Sequence, residues 1–173
     1  VAPHNETYNF NPGEDFTISF YVNPISASGY LISKSTTKTL IKSPVNSQIY
    51  TTGSSQPTDV KDVDSYPFEV FMKKTGTPPQ RNIHFRRSDG DIVSEISCSI
   101  TTGSRVTITC MRSASRLEIY KNGILQVSSS DNTVGNTKNN SNLYIGSKGE
   151  IGNYFTGSLS RLHIFNSSRT NEQ

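Results

Sequence analysis

Phe16-Thr17-Ile18-Ser19-Phe20-Tyr21-Val22 alternates apolar and polar side chains at every step. A period of two puts Phe16, Ile18, Phe20 and Val22 on one face of an extended chain and Thr17, Ser19 and Tyr21 on the other, which is the pattern of a strand with one buried face. Val106, Ile108 and Cys110 repeat it against Thr107 and Thr109, and Leu117 and Ile119 continue it. The same reading predicts strands over 30–33, 38–42, 68–73, 82–87, 92–100, 126–128, 143–147 and 159–165. Turn formers punctuate them: Asn11-Pro12-Gly13, Asn23-Pro24, Ser88-Asp89-Gly90, Thr102-Gly103 and Asn122-Gly123. No window carries a helical period. More than ten short strands must close into two packed sheets or a barrel, because one open sheet would leave an apolar face wet.

Three local features sharpen this all-β reading. Asn122-Gly123 lies between Ile119-Tyr120 and Ile124-Leu125, and both turn residues tolerate positive φ, so a type I′ hairpin is predicted there. Thr101 to Ser104 joins two alternating segments and reads as a second hairpin. Leu159, Leu162 and Ile164 slip the alternation by one residue, which a β-bulge near Ser160-Arg161 would absorb while keeping all three inward.

Composition agrees with short strands and polar turns. The 173 residues are 32% hydrophobic and 18% charged, and Ser plus Thr make up about a quarter of the chain. These side chains compete with helical backbone bonds. One domain, residues 1–173, is expected, as a piece of a longer protein. The net charge of +3 is dispersed, and the basic doublets Lys73-Lys74 and Arg86-Arg87 read as solvated strand-end charges, so no nucleic-acid partner is expected. No apolar run approaches the roughly 20 residues that cross a bilayer, so no membrane insertion is expected. The chain opens at Val1 without a basic-then-apolar leader, so any targeting segment is expected to lie outside it or not to exist.

The order of features resembles the laminin-G-like branch of the concanavalin A-like lectin and glucanase superfamily. The resemblance rests on Phe16 to Val22 followed by Tyr30-Leu31-Ile32-Ser33-Lys34, then Val106 to Cys110, then Leu117-Glu118-Ile119-Tyr120-Lys121-Asn122-Gly123. It ends on Leu143-Tyr144-Ile145-Gly146 and on Phe155-Thr156-Gly157-Ser158-Leu159 through Phe165-Asn166. It implies a two-sheet antiparallel jelly-roll sandwich, one sheet concave, with ligands met on that face or on the loop rim. It also implies a non-catalytic recognition or attachment module on a virion or cell exterior, of the kind found on phage and bacterial surface proteins. Its partner would be a glycan or cell-surface receptor. The alternative is a structural module that decorates a virion or surface assembly and touches other virion or surface proteins without a sugar ligand. Tyr21 stands where the family pattern has Trp, and the chain contains no Trp.

Enzymatic chemistry finds no support in the motifs. Glycosidases of this superfamily place Glu-x-Asp-x-Glu on one strand so that alternate carboxylates share a face, and the chain has no such run. Asp89-Gly90-Asp91 reads as a turn. His4, His84 and His163 lack metal-ligand spacing, and His84 and His163 read as structural residues in strands. Calcium is the one candidate cofactor: Asp59, Asp62 and Asp64 put three carboxylates in a segment, 43–66, that reads as a long loop, with Asp89, Asp91 or Asp131 as a weaker rim site. Tyr50, Tyr66, Asn153 and Tyr154 are the candidate ligand contacts, because tyrosine pairs a flat apolar body with a polar tip. Cys98 and Cys110 both point at the core. A hairpin register centred on Ser104 would set them opposite each other, and the sequence leaves open whether they form a disulfide or stay buried thiols.

Overall fold

In the computed structural model, strand β1 (Phe16–Pro24) buries Phe16, Ile18, Phe20 and Val22 to 1% exposure or less, as the alternation predicts. The structure describes residues 1–25, 28–42, 59–76, 80–149 and 153–169, with the backbone alone for 37–42 and 59–62. After a short 3-10 turn (Glu6–Tyr8) and β1 come β2 (Gly29–Ser33), β3 (Thr36–Lys42), β4 (Asp59–Thr75), β5 (Gln80–Ser88) and β6 (Val93–Ser99). Then follow β7 (Val106–Ser113), β8 (Arg116–Lys121), β9 (Ile124–Ser130), β10 (Tyr144–Ile145) and β11 (Gly157–Phe165). One sheet runs β11-β1-β7-β8-β9. The other runs β10-β2-β4-β5-β6, with β3 paired to the outer half of β4. All ladders between these strands are antiparallel. The two sheets enclose one apolar layer. Ile108, Cys110, Leu117 and Ile119 join the β1 side chains, and Leu31, Phe68, Val70, Met72, Ile83 and Phe85 face them from the other sheet. Burying each such side chain contributes about 1.5–3 kcal/mol. Among the described residues no helix is long and apolar enough to cross a membrane.

Two local expectations hold at residue level. Asn122 (φ 50°) and Gly123 (φ 81°) form the β8–β9 turn, both at the positive φ that a type I′ hairpin needs. The β1–β11 register steps from Ser19↔His163 to Tyr21↔Ser160, so the bulge falls at Arg161 and Leu162, and Leu159, Leu162 and Ile164 all pack on the core.

Two others are corrected, and the open question of the cysteines is decided. Thr101 to Ser104 is not a hairpin: β6 pairs with β5 and β7 pairs with β1 and β8, so this turn carries the chain from one sheet to the other. Cys98 and Cys110 therefore sit in facing sheets, as free buried thiols, and burial raises both their pKa values. The span 43–66 is not all loop, since β4 begins at Asp59 and pairs with β3 over Thr36↔Ser65 to Lys42↔Asp59. Polar alternation there hides the strand from an apolar-period reading. Pro67 breaks the β4–β5 register, at the shift between Tyr66 and Glu69, where a missing N–H costs no ladder bond.

The largest correction concerns charge. Arg87 is wholly buried, and its guanidinium donates to Asp131 Oδ2 (2.6 Å), Pro67 O (2.8 Å), Asn11 O (3.0 Å), Thr137 Oγ1 (3.3 Å) and Pro12 O (3.4 Å). Arg112 Nε donates to the same Asp131 oxygen at 2.7 Å, while Asp131 Oδ1 accepts from the Thr133 hydroxyl and N–H. Arg87 comes from the six-stranded sheet and Arg112 from the five-stranded one, so Asp131 clasps the two layers at one end of the sandwich.

Candidate functional site

The register of β2, β4, β5 and β6 writes two parallel rows on the face of the six-stranded sheet turned away from the core. Tyr30 pairs with Phe71 and Phe71 with His84. One step along, Ser33 pairs with Glu69, Glu69 with Arg86 and Arg86 with Glu95. The first row is aromatic: Tyr30 stacks on Phe71 (centroids 5.2 Å apart) and Phe71 on His84 (4.9 Å, planes 11° apart). The second is ionic: Arg86 donates to Glu69 Oε2 through Nε (2.9 Å) and Nη2 (2.8 Å), and Ser33 Oγ donates to Glu69 Oε1 (2.9 Å). Arg86 ties the rows together. Its guanidinium lies over Phe71 (4.6 Å) and Tyr66 (5.1 Å) and donates to the Tyr30 hydroxyl at 3.0 Å.

These side chains are more buried than an outward face requires: Glu69 is 0%, His84 5% and Phe71 8% exposed. Phe71 forms the floor of a cavity of about 340 Å³ with Tyr30 and Arg86, walled by Lys73, Glu95, Asn153 and Tyr154 among others, while Glu69 and His84 support Arg86 and Phe71 from outside its lining. Its rim is built by one backbone approach. Tyr30 N–H donates to Asn153 O (3.0 Å), Asn153 takes φ 55°, and Tyr154 bridges Tyr30 while its own side chain is 63% exposed. Gly29, at φ 129°, makes this possible, because a Cβ there would stand 2.4 Å from Tyr154 O. Gly29→Ala is therefore expected to push the Asn153–Tyr154 rim off β2 and cost roughly 1–3 kcal/mol. Amide exchange at Tyr30, whose N–H would lose its acceptor, would report it.

The electrostatics of the floor are set by burial and pairing. Burial alone would lower the Arg86 pKa, but the charge and hydrogen bonds of Glu69 hold it above the ordinary value. Burial raises the Tyr30 and Tyr66 hydroxyls, so both stay protonated near neutral pH. The His84 hydrogen bond (Nδ1 to Glu95 Oε1, 2.8 Å) holds the Glu95 carboxyl below its usual range. His84 Nε2 is buried without a hydrogen-bond partner among the described residues. Lys148 extends the patch, donating to Asp64 Oδ2 (2.7 Å) and lying 5.5 Å from the Tyr30 ring centre.

A larger depression, about 460 Å³, lies between the 3-10 turn and residues 166–168. Its carboxylates are already engaged by local partners: Glu6 by His4 and Asn9, Glu14 by Asn11, Asp15 by Arg112 and Ala114. It offers no aromatic platform besides Phe10, which is a core residue. The cavity on the six-stranded sheet is the stronger candidate.

Of the residues singled out from sequence, Asn153 and Tyr154 form the rim, and Tyr66 lies in the floor beneath Arg86, 2% exposed and out of direct reach. Tyr50 lies outside the described residues. Asp59 and Asp62 lie on strand β4 rather than in a loop, paired with Lys42 and Thr39, and Asp64 holds Lys148. Asp89 shapes the β5–β6 turn: its Oδ1 accepts from the N–H groups of Asp91 and Ile92, and its Oδ2 from Gly135 at 2.7 Å. Asp91 is exposed in that turn. Among the described residues no three His, Cys, Asp or Glu side chains are grouped to hold a metal ion. Tyr30, Glu69, Phe71, His84, Arg86 and Glu95 were not singled out for binding. Arg86 read as a solvated charge, but it is locked between two carboxylates and two rings. The available signal was the out-of-core parity of Glu69-Phe71-Lys73 and His84-Arg86, which gains meaning once β4 and β5 are known to pair.

The sequence model of the concanavalin A-like lectin/glucanase superfamily (Laminin_G_3) matches residues 2–173. The chain belongs to this superfamily. No curated protein matches its sequence. Among solved structures, the binding domain of Paraclostridial Mosquitocidal Protein 1 superposes with a TM-score of 0.62 at 18% identity, covering 98% of this chain and 38% of that one. The botulinum neurotoxin serotype D binding domain gives 0.60 at 12% identity, covering 99% and 37%. The Ruminococcus gnavus IT-sialidase CBM40 bound to alpha2,3 sialyllactose gives 0.59 at 14%, covering 92% and 79%. At identities this low the superpositions show a shared fold alone, and this chain spans well under half of each toxin domain.

Proposed function

We propose that this domain is a non-catalytic recognition module, displayed on a cell or virion exterior, that binds a glycan in the cavity over β2, β4 and β5. The observation that carries the reading is the aromatic row Tyr30-Phe71-His84 laid beside Arg86 and rimmed by Tyr154. A flat apolar floor with fixed donors at its edge suits the face and hydroxyls of a sugar ring. Sialylated oligosaccharides are the first ligands to test, because solved structures in complex with alpha2,3 sialyllactose and with N-acetylneuraminic acid share the fold, and because Lys73 adds positive charge to the cavity wall. The carboxylates favour binding over hydrolysis: Glu69 is committed to Arg86 and Ser33, and Glu95, held low by His84, is a poor proton donor.

A glycan array run with and without calcium, followed by titration calorimetry of the best ligand, tests this. Tyr154→Ala, at an exposed rim position, is expected to weaken binding about tenfold with an unchanged melting temperature, matching the roughly 1–3 kcal/mol carried by an aromatic contact. An array blank under both conditions, together with assembly onto a larger particle, would point to the structural module instead.

A further inference from the structure

We propose that the outer face of the five-stranded sheet is a second binding surface, on which Arg105 and Arg161 take the sulfate or phosphate ester groups of an acidic polysaccharide. Tyr21, on the outer face of β1, has the Arg105 guanidinium 4.5 Å and the Arg161 guanidinium 5.4 Å from its ring centre. With Thr107 and Asn122 they line a shallow depression of about 360 Å³. Neither arginine has a carboxylate or hydrogen-bond partner among the described residues. Two like charges are thus gathered on one ring without a paired carboxylate among the described residues. Each keeps a fork of N–H donors matched to a tetrahedral oxyanion, which would also relieve their repulsion.

The backbone beneath Arg161 is built for this placement. Arg161 occupies the β11 bulge at φ 51°, a left-handed conformation that costs a side-chain-bearing residue energy glycine would not incur. Bulges re-aim side chains, and here the residue is turned beside Tyr21. The pattern continues along β11, where His163 stacks on Phe165 (5.9 Å) and Arg169 covers Phe165 at 4.3 Å. Cations already sit over the Tyr21 and Phe165 rings, which leaves little open ring face for nucleobase stacking, so the surface offers charge and hydrogen bonds rather than stacking platforms. That favours an acidic polysaccharide over single-stranded nucleic acid. The face lies on the sheet opposite the Tyr30–Phe71 cavity, so the two surfaces are separable by mutation.

The test measures binding of a fully sulfated heparin-type oligosaccharide, its desulfated counterpart, a phosphorylated oligosaccharide and an oligothymidylate at low ionic strength. Wild-type protein is expected to bind the sulfated or the phosphorylated saccharide, to release it as salt rises, and to ignore the desulfated one. Preference between the first two identifies the ester. Arg161→Gly combined with Arg105→Gln should weaken binding at least about tenfold, the loss expected for charge-assisted bonds. Glycine suits the left-handed bulge, so the variant should fold, and its melting temperature confirms that. Tyr154→Ala should leave this binding unchanged even if it abolishes binding in the other cavity. No binding of either ester, equal binding of the desulfated saccharide, undiminished binding by the folded double variant, or tighter binding of oligothymidylate would each overturn the proposal.

Discussion

Asp131→Ala is expected to cost about 3–5 kcal/mol of stability, the penalty for leaving a buried ion pair with one partner missing. The carboxylate lies between two guanidiniums, Arg87 at 2.6 Å and Arg112 at 2.7 Å, and its side chain is 0% exposed. Removing it leaves two buried cations facing each other across the sheets. Arg87 cannot swing out, because its remaining donors are fixed to Pro67, Asn11, Pro12 and Thr137. Asp131→Asn keeps the Thr133 contacts and should cost less. Urea unfolding checks both, and an alanine variant within about 1 kcal/mol of wild type would refute the role given to the clasp. The same group predicts acid sensitivity. Burial would raise the Asp131 carboxyl, but the Thr133 hydroxyl and the Arg87 and Arg112 charges hold it below the ordinary range. A folded pKa below the unfolded value means the unfolded chain takes up the proton first. The contribution is therefore complete above about pH 4 and fades as pH falls through the lower folded value. Wild type should lose stability there, and the alanine variant should lose less over the same interval.

Arg86→Gln should lower affinity for the cavity's glycan by about a hundredfold or more, because this one side chain orders the floor. It fixes the Tyr30 hydroxyl, spans Phe71 and Tyr66, and neutralises Glu69. Its loss also leaves Glu69, which is wholly buried, with Ser33 and a Lys148 ammonium 3.7 Å away. Stability should fall as well, by an amount typical of a buried unpaired carboxylate. Arg86→Gln with Glu69→Gln separates the two effects: a neutral amide pair should recover much of the stability and none of the affinity. Recovery of both by the double variant would show that the Arg86 charge has no part in binding. Calorimetry with thermal unfolding of the three proteins reads the distinction.

How legible the chain was depends on the range of the interaction that sets each feature. The β1 alternation, the Asn122-Gly123 turn and the Arg161 bulge are local, fixed by a strand's period of two or by which residues tolerate positive φ. Thr101 to Ser104 misled because a hairpin turn and a sheet-crossing turn use the same residue types, and the choice between them lies in partners more than 70 residues away, such as β1 for β7. The outer half of β4 was hidden because its neighbour β3 lies across a segment with no apolar period. Asn153 and Tyr154 were found as aromatics and amides the core did not need. Tyr66 was found for the same reason, yet lies buried under Arg86 rather than at the cavity rim.

By itself the sequence determined an all-β chain with one buried face per strand, its principal turns and its superfamily, because those follow from residues adjacent along the backbone. Tertiary structure decided which charges are solvated. Arg86 and Arg87 are neighbours, yet strand geometry sends one to the outer face beside Glu69 and the other into the sandwich end against Asp131. Pairing register likewise decided that Tyr30, Phe71 and His84 form one row, since contact across strands is set by which backbones hydrogen-bond, and that is fixed when the sheet closes.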